Sequence, residues 1–275
     1  MASPHAQGDP SRHVELGQDH PGFRDDVYRA RRNEIAHAAD TFVRGSALPK
    51  ITYTETETRV WGTALEHLRP LHARYACAEY LAAWEPVGFV PSAIPSFDEV
   101  CAVLAKGSNV RLEPVAGLVT PRQFMERLAD DVFLATQYIR HESMPLYTPE
   151  PDVIHEFVGH VPLLYDARFA AVNRLFGEAT KRTEREEDLL ELIRLYWYTL
   201  EFGAVGKAGN LHVYGAGLLS SFGELERFEK SATLKPFDID VIAKTPFDTT
   251  TYQDTIFVAP NLEMVFEQLT ARLSH

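Results

Sequence analysis

The residues most able to do chemistry sit in one short run, His155-Glu156-Phe157-Val158-Gly159-His160. Two imidazoles five residues apart invite a shared metal ion, but the spacing is awkward. On a regular helix five residues rotate the chain by about 140°, against about 40° for four. The run therefore differs from the zinc-protease pattern His-Glu-x-x-His, whose rings share one face. For both rings to reach one ion, the segment has to bend or end near Gly159, and Pro162 favours an ending. The plain alternative is two ordinary histidines at a helix end.

A third ligand is available at Glu201, near the end of an amphipathic stretch over 185–202 with Leu189, Ile193, Tyr196 and Leu200 at helical spacing. Around a regular helix axis Glu201 falls within about 40° of Trp197 and about 20° of Leu190, which places a carboxylate on an apolar face. Such a group needs a cation, a base or a proton beside it. A salt bridge to Arg or Lys would serve. So would a metal. Two His and one carboxylate on one face, with open positions opposite, is the ligand set of non-haem iron(II) oxygenases. Zinc would favour a tetrahedral site with one water. Spacing alone does not choose between the two.

The rest of the chain must position these groups. Its 275 residues are 45% hydrophobic, enough for one large core and one domain. The 27 basic residues are scattered among 39 acidic ones, a net charge of −12, which disfavours nucleic acid as a partner. Two cysteines, Cys77 and Cys101, rule out a disulfide framework and fit a reducing cytoplasm. No run of about 18 apolar residues marks a membrane span. Residues 1–22, polar and rich in Asp, His, Gln and Pro, read as a disordered tail without a secretory signal, and 23–275 as the catalytic domain.

Helix is expected over Asp25 to about Arg44 and in two stretches across 54–84, broken at Pro70. Ser96-Phe97-Asp98-Glu99 is a capping box before Val100–Leu104, with Gly107 as the stop. Val110–Glu113 fits a short strand. Thr120-Pro121 opens another helix. Thr148–Asp152 is a rigid turn into the short helix that carries the two histidines. Gly203–Gly217 suggests a small hairpin or loop, and the last thirty residues mix strand and helix.

Longer blocks now become recognisable. Tyr138-Ile139-Arg140-His141, Tyr147-Thr148-Pro149-Glu150-Pro151-Asp152-Val153-Ile154-His155-Glu156 and Gly159-His160-Val161-Pro162-Leu163 come in that order. Tyr196-Trp197-Tyr198-Thr199-Leu200-Glu201-Phe202-Gly203 and Tyr214-Gly215-Ala216-Gly217-Leu218-Leu219-Ser220-Ser221-Phe222-Gly223-Glu224 follow, and Val27–Arg32 and Pro114–Leu118 match upstream. Together, over about 25–265, the chain closely resembles the catalytic domain of the pterin-dependent aromatic amino acid hydroxylases. The resemblance implies a mainly α fold, a single compact domain of helices with a few short β-strands. It implies Fe(II) on His155, His160 and Glu201, and a tetrahydropterin supplying two electrons to split O2.

By position, Phe124 should stack on the pterin, Gly117 and Val119 should touch it through backbone, and Glu156 should lie at its edge as a catalytic group. Arg140 should grip the substrate carboxylate with help from Thr148 and Ser220, a task suited to a guanidinium fork. Trp197 and Pro151 should wall the ring pocket. Trp197 disfavours tryptophan as substrate, and Thr249, where tyrosine hydroxylases tend to carry Asp, disfavours tyrosine, so phenylalanine is expected. Leu134 stands where animal phenylalanine hydroxylases place a His, which leaves para and meta hydroxylation both open. The regulatory domain and tetramerising helix of the animal enzymes have no counterpart in these 275 residues, so a monomer or dimer is expected. Two other classes stay open on the residues alone: a zinc hydrolase using Glu156 as base, and an inactive protein that only binds an aromatic amino acid.

Overall fold

The computed structural model describes residues 14–207 and 209–274. Helices α1 (Asp26–Asp40), α2 (Glu55–Tyr75), α3 (Ala78–Val87) and α4 (Phe97–Leu104) lead into strand β1 (Arg111–Pro114). Helix α5 (Pro121–Leu128) and strand β2 (Val132–Ala135) follow, and β1 pairs with β2 in parallel. A π-helical turn, His155–His160, then runs into α6 (Val161–Tyr165), α7 (Ala167–Arg182) and α8 (Glu186–Tyr196). A second π-helical turn, Trp197–Glu201, prolongs α8. Beyond it come the hairpin β3 (Ala204–Lys207) and β4 (Asn210–Val213), helices α9 (Ala216–Leu219) and α10 (Phe222–Ser231), strand β5 (Thr233–Pro236) and helix α11 (Ile239–Ile242). Strand β6 (Thr255–Ala259) and helix α12 (Leu262–Leu273) complete the described chain. Four strands form one sheet in the order β4-β3-β6-β5. The fold is mainly α with a few short strands, as expected.

Local chemistry sets most boundaries. Thr54 with Glu57, Ser96 with Glu99 and Thr120 with Gln123 all form reciprocal capping boxes at the starts of α2, α4 and α5. Pro70 does not break the second helix, which continues to Tyr75. The ring sits on the exposed side, as does Glu66 four residues earlier, so the carbonyl that loses its N–H partner can turn to water. The chain leaves the helix at Ala76 instead. Gly107 marks the end of α4 for a different reason from a left-handed cap. A Cβ there would come within 2.3 Å of the Tyr165 carbonyl oxygen, so glycine allows close contact with α6.

Of the expected N-terminal tail, residues 1–13 lie outside the described residues, whereas 14–22 form turns packed against the body. His20 is buried, stacks on Tyr28 and approaches Glu150 at 3.5 Å. Packing therefore begins before residue 23.

One continuous core runs from α2 through α12 and includes Phe157, Val158 and Val161 beside the π-turn. That turn is pressed closely onto α9. An added Cβ on Gly159 would lie 2.7 Å from the Ala216 carbonyl oxygen and 3.1 Å from its Cβ. Both opposing atoms belong to a buried segment with little freedom to yield. Gly159→Ala is therefore expected to lower stability by about 1–3 kcal/mol, the range for overpacking, read as a drop of several degrees in the thermal midpoint. An unchanged midpoint would mean that α9 and the turn separate freely.

Candidate active site

The awkward five-residue spacing is resolved by the backbone. Val161 N–H bonds to the Glu156 carbonyl, and Phe202 N–H to the Trp197 carbonyl at 2.9 Å, both i→i+5 bonds. In a ring of that size, residues five apart stand one turn above each other. His155 and His160 are so related. The segment does not end at Gly159 but continues through His160 into α6, where Pro162 sits in the first turn. The second π-turn also changes the reckoning for Glu201. Leu190, placed on the same face by regular helix geometry, is 42% exposed, while Glu201 points inward with a 14% exposed side chain.

The three side chains converge. His155 Nε2 lies 3.1 Å from His160 Nε2, His160 Nε2 lies 3.2 Å from Glu201 Oε1, and His155 Nε2 lies 3.7 Å from Glu201 Oε2. They are the one such group of potential metal ligands among the described residues, with donor atoms within 4.8 Å of one another. Two nitrogens held at about 2.1 Å from one ion and at right angles to each other are about 3 Å apart, so the spacing fits a shared cation.

Proton counting agrees. The Ser220 hydroxyl gives its single proton to the Ala216 carbonyl at 2.8 Å, so at 3.0 Å it accepts from His155 Nδ1–H. His155 Nε2 then presents a lone pair. Burial pushes His155 down to about 4, which keeps it neutral. Glu201 offers only acceptors. Burial would raise its carboxyl, but the neighbouring His160 outweighs that and holds it below the usual range. Two acceptors thus face at most one His160 proton. A divalent cation resolves the surplus.

Arg140 is fully committed on one edge. Its Nε and Nη2 bind the two Asp152 carboxylate oxygens at 2.8 Å each, and its backbone N–H binds Oδ2. Burial alone would raise the Asp152 carboxyl, but the Arg140 charge and hydrogen bonds keep it low. Asp152 Oδ1 also takes the His155 N–H at 3.2 Å, so one carboxylate ties the guanidinium to the first histidine. Among the described residues the hydrogen bonds of the guanidinium run from Nε and Nη2 to Asp152, and none runs from Nη1.

Other expected site residues fall around this centre in two ways. Pro151 accepts from Tyr138 through its carbonyl. Trp197 stacks on Phe247 at 4.5 Å and donates its indole N–H to Gln253. Phe124 meets Phe133 edge-on at 5.2 Å, and Phe133 in turn touches His160 at 4.6 Å, so an aromatic wall leads from the metal-ligand cluster to Phe124. Gly117 and Val119 lie in the half-exposed loop between β1 and α5, with open space where a Gly117 Cβ would point. Glu156 is buried, accepts from Thr136 N–H and Oγ1 at 3.2 Å, and is pushed up to about 7 by burial. The two residues expected beside the substrate carboxylate also bond within the protein: the Thr148 hydroxyl donates to the Glu150 carbonyl at 2.8 Å, and the Ser220 hydroxyl lies 3.0 Å from His155 Nδ1.

Sequence reading missed Asp152 as a partner, Phe247, Gln253, Glu224 and Thr136. Asp152 carried a signal, since an Asp three residues before His155 is a helix-capping position. Gln253 carried none, and Glu224 signalled only a helix start after Ser221, because the two meet only through the fold. Glu224 Oε1 accepts the Gln253 backbone N–H at 2.7 Å while the Gln253 side chain holds Trp197.

A helical domain enclosing two His and one Glu on one face has the build of a mononuclear non-haem iron protein. The sequence signature of the biopterin-dependent aromatic amino acid hydroxylases matches residues 10–274, and the chain belongs to that family. It is 39% identical over 260 residues to a tyrosine 3-monooxygenase of Schistosoma mansoni, covering 93% of this chain and 56% of that one. It is 45% identical over 213 residues to a chloroplastic phenylalanine 4-monooxygenase of Physcomitrium patens, covering 78% and 54%. The chain thus spans little more than half the length of these relatives. A phenylalanine hydroxylase structure from Chromobacterium violaceum, holding iron(III) and 7,8-dihydrobiopterin, superposes with a TM-score of 0.75 at 31% identity, over 80% of this chain and 81% of that one.

The support behind Trp197 gives a pH-dependent signature. Burial pushes the Glu224 carboxyl up to about 7, from about 4.5 when it is free in water. The folded protein therefore holds an extra proton between those values, and folding stability falls as pH rises from about 4.5 to about 7. Glu224→Gln removes this titration, so its stability relative to the parent should improve between pH 5 and pH 8 by on the order of 2 kcal/mol. Denaturant unfolding at the two pH values tests this, and an identical offset at both would show that the carboxyl titrates normally.

Proposed function

We propose that the chain is an Fe(II)- and tetrahydropterin-dependent monooxygenase that hydroxylates the ring of free L-phenylalanine. The observation that carries this reading is the convergence of His155, His160 and Glu201 within 4.8 Å. Family membership supports it and replaces the zinc-hydrolase alternative. Bound there, the ferrous ion and the reduced pterin supply the electrons and the site at which dioxygen is activated.

The chain's own residues would do the rest. His155, His160 and Glu201 hold iron from one side and leave the other side open. Phe124 offers its ring to the pterin, and Gly117 and Val119 offer backbone groups. Glu156, with its carboxyl near 7, can hold or release a proton at the pterin edge at working pH. The Nη1–Nη2 edge of Arg140 suits a second carboxylate, that of the amino acid. Trp197, fixed between Phe247 and Gln253, and Pro151 form the walls around the substrate ring. Thr148 and Ser220 assist Arg140 at the substrate carboxylate, while their hydroxyls also brace the turn and His155. No helix among the described residues is long and apolar enough to cross a membrane. Two free cysteines suit a reducing compartment, and we place the enzyme in the cytoplasm as a monomer or dimer.

Phenylalanine is favoured over tryptophan by the large Trp197 wall. Para-hydroxylation is the regiochemistry proposed, on the pattern of the Physcomitrium relative's name. Oxygen uptake with Fe(II), tetrahydropterin and L-phenylalanine, with chromatography of the product, tests both. Para-tyrosine is expected, meta-tyrosine would reassign the ring carbon, and no hydroxylated product would refute the activity. Arg140→Lys keeps the charge but loses the planar second edge. It should raise KM for the amino acid about tenfold while leaving KM for the pterin near the parent value. Equal rises would show that Arg140 does not hold the substrate.

A further inference from the structure

The π-turn that aligns the two histidines leaves a backbone acceptor to be satisfied. Pro162 has no N–H to give the carbonyl four residues earlier, that of Val158. Val158 lies between His155 and His160 and is fully buried, so water does not reach it. Its carbonyl oxygen instead accepts from the Tyr80 hydroxyl, 2.9 Å away on α3. Tyr80 is itself fully buried.

Tyr80 stands beside a second buried polar group. Its hydroxyl is 3.3 Å from His72 Nδ1 on α2, and the two rings meet edge-on at 5.0 Å. His72 Nε2 lies 2.6 Å from the Leu219 carbonyl oxygen, which can only accept, so Nε2 carries the proton. Burial keeps His72 neutral by pushing it down to about 4, so Nδ1 is a lone pair that competes from 3.3 Å for the single Tyr80 proton, which goes to the nearer Val158 carbonyl at 2.9 Å. Leu219 ends α9 and precedes Ser220, the residue that orients His155.

The geometry points to Tyr80 as a positioning residue for the metal-ligand histidines: its hydroxyl holds the carbonyl that Pro162 strands in the π-turn, while His72 holds the Ser220 segment in register behind it. The inference rests on the reading of His155, His160 and Glu201 as iron ligands. Neither Tyr80 nor His72 touches those three side chains. They act through two carbonyls, one in each segment that shapes the site. Without the Tyr80 hydroxyl, the Val158 carbonyl is buried and unpaired, and because Pro162 denies it a partner in regular helix, the turn can relieve this only by shifting its backbone toward another donor, which moves the two imidazoles out of alignment.

Tyr80→Phe removes one oxygen and keeps the ring packing. Anaerobic Fe(II) titration by calorimetry of the full chain, with thermal midpoints for apo and Fe(II)-loaded protein, is the test. The variant should bind Fe(II) about tenfold more weakly, and the rise in midpoint on iron loading should shrink with it. Thr180→Val removes another buried hydroxyl, one that bonds only the Phe176 carbonyl of its own helix. It should lower the apo midpoint and leave iron affinity unchanged. Should Tyr80→Phe not fold, His72→Phe, which frees the Leu219 carbonyl, is expected to weaken Fe(II) binding likewise. A Tyr80→Phe protein (or its His72→Phe substitute) that binds iron as tightly as the parent overturns the inference. So does a Thr180→Val protein that loses affinity by the same factor, because the effect is then general stability. A parent that takes up no iron overturns the underlying ligand reading instead, and this inference with it.

Discussion

One hydrogen-bond ring sets the geometry of this protein. The i→i+5 bond from Val161 N–H to the Glu156 carbonyl widens a single helical turn and brings residues five apart onto one face. His155 and His160 meet only because of it. A second widened turn, closed by Phe202 N–H on the Trp197 carbonyl, brings Glu201 inward from the end of α8. Such turns are less favourable than regular helix and persist where their surroundings fix them. Pro162 removes the competing i→i+4 bond, Gly159 lets the turn press against α9, and the Thr199 hydroxyl takes the Leu195 carbonyl in the second turn at 2.6 Å.

Around the three ligands, nearly every buried polar group has a defined partner. Ser220 fixes the His155 tautomer, Asp152 links Arg140 to the His155 backbone, and Thr136 holds Glu156. Orientation matters because a metal-ligating imidazole is directed by what its other nitrogen touches. The same economy appears on the substrate side, where Glu224 holds Gln253 and Gln253 holds Trp197. Residues far apart in the chain thereby act as a single rigid support. A rigid support suits a reaction in which an aromatic ring must be presented at a fixed angle.

Much of the fold was legible in the sequence because its signals are local. Capping boxes at Thr54, Ser96 and Thr120 declare themselves within four residues, and the amphipathic run before Tyr196 shows its face by spacing. The histidine pair and Glu201 were visible as candidates from chemistry and from the family resemblance. Their geometry was not. Angles drawn from 3.6 residues per turn put His155 and His160 on different faces and put Glu201 beside Leu190, and both conclusions fail where the helix widens. Pro70 misled for a related reason: whether a proline stops a helix depends on whether the stranded carbonyl reaches water, which is a tertiary fact. Gln253 and Phe247 had no local signature at all, and Glu224 showed only as the capping partner of Ser221, not as the support of Gln253.

The central claim is that the two widened turns exist to seat one metal ion between His155, His160 and Glu201. Anomalous diffraction at the iron edge from crystals loaded anaerobically with ferrous salt tests it most directly. The account predicts one strong peak at about 2.0–2.2 Å from both Nε2 atoms and a Glu201 oxygen, with both i→i+5 bonds retained. A peak elsewhere, no peak, or regular helix through Gly159 with the two imidazoles apart would contradict it.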